Sequence, residues 1–307
     1  MLAFVRSSVV YLSLFIVFLA CNYDHGFLIP TPLSGVFPWL KFSTYGIMMA
    51  GGFLTGNYLL QKEFERLGYP VKLADNIVIG LAIGGIVGAK LFYLWESSAE
   101  WSGIAEFSDR LFSGGGLTWY GGLVVAGIVL YALLRREGIK FFRITDIGTP
   151  ALALGYVFGR LGCLFSGDGC YGEKCPYDWP APLAMAFPNG AAPWSEIVKM
   201  YNDENVRVYN TPLFEATLSF LLFLFFYLNR KREWPLGIKT VVFLIVHSTF
   251  RFFIEFIRLN PRDIFGLSQA QFVSLVIIVI SIGYVVKNLN MITTYIREGA
   301  NVGSGNK

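Results

Sequence analysis

Long apolar runs constrain this chain most strongly. A helix needs about 20 mainly apolar residues to cross the ~30 Å hydrocarbon core of a bilayer. Of the 307 residues, 54% are hydrophobic and only 15% are charged. The runs and the polar breaks between them predict eight segments, at residues 8–21, 43–60, 75–95, 117–134, 146–165, 213–229, 238–258 and 271–287. We therefore expect an all-α, polytopic integral membrane protein with about seven transmembrane helices after an N-terminal hydrophobic segment.

Charge in the connectors predicts the orientation, because Lys and Arg near helix ends stay on the cytoplasmic side. The connectors after the second, fourth and sixth segments are basic, and the intervening ones are acidic or neutral. The membrane domain at 38–287 then carries an outer loop at 166–210, which forms a small periplasmic head, and the tail at 288–307 is cytoplasmic. The net charge of +4 reflects this topology and not nucleic-acid binding.

The N-terminal segment at 1–24 has two open interpretations. Arg6 precedes an apolar run that ends at Cys21. This pattern fits an uncleaved signal anchor, and it also fits a signal peptide whose small residue before Cys21 loosely resembles a bacterial lipoprotein cleavage site. Both interpretations predict the same orientation downstream.

Charged residues inside the apolar segments are costly unless they are paired or hydrated. His247, Arg251, Glu255 and Arg258 have offsets of 4, 8 and 11, which place them on one face of a helix with about 3.6 residues per turn. They could form a purely structural ladder of salt bridges. Alternatively, the surplus cation could act with Arg160, at the outer end of another segment, to hold a phosphate group.

Small residues and one lysine mark the third segment. Gly80, Gly84, Gly85 and Gly88 have the spacing that lets helices approach closely. A phosphate-binding loop is a poorer interpretation, since neither a Walker lysine pattern nor a preceding strand is present. Lys90 either extends its ammonium to the interface or binds a lipid headgroup.

Several separated motifs, kept in order over about residues 38–287, together resemble the prolipoprotein diacylglyceryl transferases of bacterial inner membranes. The motifs are Tyr45-Gly46, Gly88 to Tyr93, Gly116 to Gly122, Gly159 to Gly162, Thr211 to Glu215, Phe250 to Arg258, and the pair Ser268 and Gln271.

The resemblance implies a reaction. The diacylglyceryl group of phosphatidylglycerol moves to the thiol of a lipobox cysteine in a prolipoprotein, and glycerol 1-phosphate is released. No metal or organic cofactor is implied, and the expected partners are phosphatidylglycerol, prolipoproteins and membrane lipids.

The resemblance also implies site residues. Arg160 and Arg251 would supply the electrostatic catalysis and bind phosphatidylglycerol, with Tyr45, Lys90 and Arg258 positioning its headgroup. The residues expected to surround these groups and orient them are Asp168, Ser166, Glu215, Glu255 and Gln271.

Two departures from the family pattern leave the proton acceptor open. Tyr120 stands where the family has His, and Cys163 stands where its signature has Asn. Tyr120 or His247 could take the thiol proton, but we favour ionisation of the thiol by the field of the arginines alone. A related transferase with another acceptor and an organic-anion transporter are the rival functions.

The outer loop has alternatives of its own. Cys170 and Cys175 could form a disulfide if the loop faces an oxidising compartment. Zinc fits less well, because neither histidine of the chain has ligand spacing to these thiols. A covalent intermediate on Cys163 is a further alternative. Trp179 and Trp194 suit a cap at the membrane interface, although the loop could equally be a plain connector.

Overall fold

The computed structural model describes residues 44–98, 103–112, 118–180, 182–188, 190 and 194–304. The predicted N-terminal segment at 1–24, including Cys21, lies outside the described residues. Helix accounts for 74% of the structure, which agrees with the predicted all-α class.

Ten α-helices and two very short strands make up the described chain. The helices are α1 Thr44–Leu67, α2 Val71–Glu96, α3 Ile104–Phe112, α4 Trp119–Arg136, α5 Phe141–Ser166, α6 Trp194–Tyr201, α7 Thr211–Leu228, α8 Ile238–Ile254, α9 Gln269–Lys287 and α10 Leu289–Ser304. Strand β1 Ala184–Met185 pairs antiparallel with β2 Val208–Tyr209. The 3-10 turn Glu255–Ile257 continues α8.

Five helices among the described residues are long and apolar enough to cross a membrane. They are α2, α5, α7, α8 with its 3-10 turn, and α9. The described residues of the predicted segments at 43–60 and 117–134 belong to α1 and α4, which are not among these five helices. α1 continues beyond the predicted end through a charged stretch to Leu67.

The described residues separate into two compact units. The first holds the residues up to 141 together with 161–168, and the second holds 142–160, 169–188 and most of the chain from 194 onward. Helix α5 contributes to both.

In the first unit, α2 packs against α4 through small residues, as the glycine spacing predicts. A Cβ atom at Gly80 or Gly84 would lie 2.9 Å from side chains of α4, and one at Gly88 would overlap the carbonyl oxygen of Gly121. Gly85 does not share this constraint, since a Cβ atom there would meet nothing within 4 Å. The close contact is therefore made at Gly80, Gly84 and Gly88, which are four residues apart, and a side chain at Gly85 would not disturb it.

In the second unit, α5, α7 and α8 share an apolar core. Ala153 of α5, Leu222 and Phe226 of α7, and Phe243 of α8 are buried against one another. The polar site lies on the same faces of α5 and α7, about two turns from this core, toward the end of α5 and the start of α7.

A carboxylate of α5 fixes the start of α8. Asp146 Oδ2 accepts a hydrogen bond from the backbone N–H of Gly237 at 2.6 Å, and Oδ1 accepts from the backbone N–H and the hydroxyl of Thr240 at 2.8 and 2.7 Å. These N–H groups have no partner inside their own helix. Gly237 has a φ of +85°, which glycine adopts without strain. Asp146 thus sets where α8 begins.

Backbone pairing ties the loop at 166–210 to the segment after α8. The N–H of Gly172 donates to the carbonyl of Tyr209 at 2.8 Å, and the N–H of Glu173 donates to the carbonyl of Ile257 at 2.8 Å. Gly172 also forms an antiparallel bridge with Arg258. A Cβ atom at Gly172 would lie 2.6 Å from the carbonyl oxygen of Ile257, so the close approach requires glycine.

The structure decides between the alternatives for the cysteines of the loop. Cys170 and Cys175 are not joined by a disulfide. Instead, the thiol of Cys175 donates to the carbonyl of Tyr177 at 3.2 Å. The disulfide, which the sequence left open as one alternative, is therefore not formed in this structure.

Candidate functional site

A buried carboxylate forms the centre of the site. Glu215 lies in the first turns of α7 and is 2% exposed. Asn210 caps this helix, since its side-chain oxygen accepts the N–H of Leu213 at 3.2 Å, and Pro212 occupies the first turn, where a missing N–H costs nothing. The sequence therefore starts α7 at a defined residue, and this fixes the position of Glu215.

Three arginines from distant parts of the sequence converge on this carboxylate. Arg160 Nε of α5 lies 2.8 Å from Glu215 Oε2, and Arg251 Nη1 of α8 lies 2.9 Å from Oε1. Arg258 Nη1 lies 3.6 Å from Oε2. The structure brings Glu215 into contact with the arginines, although the sequence did not indicate that all three meet on it.

A second buried carboxylate, Glu255, links two of the arginines to the start of α9. Its Oε2 lies 2.9 Å from Arg251 Nη2 and 3.5 Å from Arg258 Nε. Its Oε1 accepts from Ser268 Oγ at 2.9 Å and from Asn260 Nδ2 at 2.5 Å. The Arg251–Glu255–Arg258 ladder of ion pairs, one of the alternatives that the spacing left open, is therefore present.

A capping box at the start of α9 holds this second layer in place. Gln271 Oε1 accepts the N–H of Ser268 at 3.0 Å, and Ser268 Oγ accepts the N–H of Gln271 at 3.2 Å. The Gln271 amide also donates to the carbonyl of Phe252 at 3.4 Å. Gln271 thus acts on the arginines indirectly, through Ser268 and Glu255.

Arg258 reaches the cluster from outside the helix. The sequence pattern predicts it on the same helical face as His247, but α8 ends at Ile254 and Arg258 has extended backbone angles, φ −96° and ψ 154°. The prediction of one continuous helix to residue 258 is therefore wrong. The 3-10 turn Glu255–Ile257 continues α8, and the backbone then becomes extended at Arg258, where it bridges to Gly172. The Arg258 side chain still reaches both carboxylates.

The cluster keeps a surplus of positive charge. Three guanidinium groups and two carboxylates sum to +1. Burying an unbalanced cation is costly unless an anion accompanies it. The arrangement is therefore suited to binding one further anionic group.

Tyr156 belongs to this cluster, although the sequence pattern did not single it out. Its hydroxyl oxygen accepts from Arg160 Nε and Nη2, both at 2.9 Å, and donates to Glu215 Oε1 at 3.3 Å. The available signal was its spacing of four residues before Arg160 on one helix. An isolated tyrosine in an apolar segment reads as interfacial bulk, so this spacing carries little weight by itself.

His247 packs against this tyrosine. Its ring meets that of Tyr156 edge to face, with the centroids 4.4 Å apart, and stacks on Phe243 at 5.4 Å. Within the described part of the chain, its buried Nδ1 has no hydrogen-bond partner. The structure brings His247 to the cluster through Tyr156 and shows no ion pair between its ring and either carboxylate.

The remaining predicted site residues belong to the first unit. Tyr45 packs its ring against Gly162, and Lys90 is buried with its ammonium 5.3 Å from the ring of Tyr93. Tyr120 lies half-buried in the first turn of α4, and Asp168 lies just after the end of α5. A last member, Ser166, is buried and donates to the carbonyl of Cys163 at 3.3 Å.

Comparisons with known proteins agree with one another. A family model described as "Prolipoprotein diacylglyceryl transferase" matches residues 34–287. A phosphatidylglycerol–prolipoprotein diacylglyceryl transferase of Leptospira interrogans is 29% identical over 298 residues, covering 81% of this chain and 90% of the relative. Similarly named proteins of Clostridium perfringens and Clostridium tetani are 31% and 30% identical and cover 78% and 79% of this chain, and 88% and 92% of the relatives.

Proposed function

This chain belongs to the prolipoprotein diacylglyceryl transferase family, and on that basis we propose that it transfers the diacylglyceryl group of phosphatidylglycerol to a prolipoprotein cysteine. The acceptor is the thiol of the lipobox, and glycerol 1-phosphate is released. The observation that carries the proposal is the cluster of three arginines and two carboxylates with its surplus positive charge.

The arginines act on the leaving group. The thiolate sulfur attacks the glyceryl carbon that bears the phosphate, and the electron pair of the breaking C–O bond passes to the phosphate oxygen. Negative charge on the phosphate grows along this path. Arg160 and Arg251, held by Glu215, stabilise that charge through pre-oriented N–H groups.

The same positive charge helps to ionise the acceptor. A thiol with an ordinary pKa of about 8.5 is only a few per cent thiolate at neutral pH, and nearby cations raise that fraction. The leaving phosphate oxygen can take up the proton that the thiol loses. Tyr120 and His247 are the alternative proton acceptors, and the packing of His247 between Tyr156 and Phe243 favours a supporting role for its ring.

Other residues would position the lipid and the arginines. Tyr45, Lys90 and Arg258 would bind the phosphatidylglycerol headgroup. The contacts of Glu255 with Arg251 and Arg258 support its role in orienting them. Roles of the same kind are proposed for Asp168, Ser166, Glu215 and Gln271.

The proposed setting is the bacterial inner membrane. We place about seven helices across it, with the arginine cluster and the 166–210 loop on the periplasmic side and the C-terminus in the cytoplasm. The alternation of basic and acidic connectors supports this orientation, and the five membrane-capable helices support the multi-pass arrangement.

The proposal is tested by incubating the purified protein with phosphatidylglycerol and a synthetic lipobox peptide. We expect the mass of one diacylglyceryl group on the peptide cysteine and an equal release of glycerol phosphate. Arg160→Ala and Arg251→Ala should each lower the rate on the order of 100-fold or more. Arg66→Ala is the matched control, because this arginine pairs with Glu63 on the surface of α1.

The two measured products separate the outcomes. Release of glycerol phosphate without peptide modification would show a phosphatidylglycerol-dependent transferase with another acceptor. Neither product from a folded sample would overturn the proposed activity.

A further inference from the structure

We propose that Tyr156 is a positioning residue of the transferase site, which orients Arg160 for the phosphate of the lipid and couples it to Arg251. This inference rests on the proposed function. Tyr156 matches none of the motifs that carry the family resemblance, so the assignment comes from its contacts alone.

The hydroxyl of Tyr156 uses its full hydrogen-bonding capacity inside the cluster. A phenol offers one donor and two acceptor lone pairs. Both lone pairs receive N–H groups of Arg160 at 2.9 Å, and the proton points to Glu215 Oε1 at 3.3 Å. Replacing the hydroxyl by hydrogen would therefore remove three contacts to charged groups at once.

These contacts fix the plane of the guanidinium. Two N–H bonds to one oxygen hold the Nε and Nη2 edge of Arg160, and the ring of Tyr156 lies 5.1 Å from the guanidinium carbon. An arginine recognises phosphate through a planar fork, so its affinity depends on this orientation. Without the phenol, the side chain would keep its charge and its ion pair with Glu215 but would lose the two hydrogen bonds that fix its plane.

Tyr156 also connects two helices of the site. Glu215 Oε1 receives both the Tyr156 hydroxyl and Arg251 Nη1, the latter at 2.9 Å. The ring in turn packs edge to face with that of His247. The phenol thus links Arg160 of α5 to Arg251 of α8 through one carboxylate oxygen of α7.

The test compares Tyr156→Phe with Tyr284→Phe. Tyr284 is a matched control, because its hydroxyl also donates one internal hydrogen bond, to the carbonyl of Leu236 at 2.7 Å, but lies on α9 outside the cluster. Steady-state rates are measured against phosphatidylglycerol and against peptide separately. We expect Tyr156→Phe to raise the KM for phosphatidylglycerol at least about 10-fold, as hydrogen bonds to charged groups are lost. The peptide KM and the control variant should stay near wild type.

A double-mutant cycle separates positioning from general support of the fold. If Tyr156 acts through Arg160, then adding Tyr156→Phe to Arg160→Ala should weaken phosphatidylglycerol binding by less than about twofold, although it weakens the wild type about 10-fold. Independent effects of the two changes would overturn the proposal. A lower yield of folded Tyr156→Phe enzyme with an unchanged KM would also overturn it.

Direct binding of phosphatidylglycerol distinguishes failure of this inference from failure of the proposed function. Binding is measured by the shift in unfolding temperature, with phosphatidylcholine as the comparison lipid. If the wild type fails to modify the peptide but binds phosphatidylglycerol, and Tyr156→Phe loses that binding, the positioning role stands and the acceptor is wrong. If transfer occurs and Tyr156→Phe behaves like Tyr284→Phe, the activity stands and the positioning role is wrong. If the wild type does neither, both fail.

Discussion

Replacing Glu215 by glutamine would test whether this carboxylate holds the arginines together. The change keeps the shape of the side chain and removes its charge. Glu215 is 2% exposed, lies 2.8 and 2.9 Å from Arg160 and Arg251, and lies 3.6 Å from Arg258. The charge of the cluster would rise from +1 to +2, since three guanidiniums would face one carboxylate.

The expected loss of stability is large. Removing one partner of a buried ion pair costs about 3–5 kcal/mol, because the other charge stays buried without compensation. At about 1.4 kcal/mol per factor of ten, the ratio of folded to unfolded protein should fall about 100- to 4,000-fold. Unfolding in mixed micelles at increasing denaturant measures this change directly.

A linked measurement uses an added anion. Glycerol phosphate should stabilise Glu215→Gln more than the wild type, because the bound phosphate replaces the missing carboxylate and ligands that bind the folded state raise its stability. Sodium chloride at equal ionic strength should not do so. Glu65→Gln is the control, since this glutamate pairs with Lys62 on the exposed surface of α1 and its loss should leave unfolding unchanged.

Either of two results would refute the reasoning. One is a Glu215→Gln protein that unfolds within about 1 kcal/mol of the wild type. The other is equal stabilisation of both proteins by glycerol phosphate, which would mean that the anion does not bind where the carboxylate was.

Three further substitutions have defined outcomes. Gly88→Ala should lower the unfolding temperature sharply while Gly85→Ala should not, because only the Cβ added at residue 88 would meet α4 within 4 Å. Equal effects of the two substitutions would contradict the packing of α2 on α4. Asp146→Ala should destabilise the folded protein by about 1–2 kcal/mol, because the cap on α8 is lost. Denaturant unfolding measures this change, and an unchanged midpoint would contradict the capping role. Gly172→Ala should displace the Arg258 backbone, so transfer activity should fall about 10-fold while the peptide KM stays unchanged. Full activity would show that the position of Arg258 does not depend on the loop.

The parts of this protein that were predictable from sequence are those with local signals. Apolar length marks the helices, and the four-residue spacing of Arg251 and Glu255 is enough to predict their ion pair. Glu215 entered the prediction only through the family resemblance. Its contact with Arg160 joins residues from different helices, and no local pattern reports which helices meet.

Other features depended on contacts that the sequence does not show. The helix carrying Arg251 was expected to continue to Arg258, but the backbone there pairs with Gly172 instead, and that strand-like pairing has no local signature. Asp146 was not singled out from the sequence, although it caps a helix that begins roughly 90 residues later. Tyr156 was missed for the same reason, since its partners lie on three helices.

Arg160 is synthesised before Glu215, the carboxylate that it shares with Arg251. Arg160 is translated 55 residues before Glu215, so at about 5–20 residues per second it precedes its partner by roughly 3–11 s. During that interval α5 carries a cation without the carboxylate that later neutralises it. Nascent chains that end after α5 should therefore hold this helix in the bilayer less firmly than chains that also contain α7, as judged by extraction at alkaline pH. Arg160→Leu should abolish the difference. This result would show that α7, although synthesised later, stabilises α5 in the bilayer.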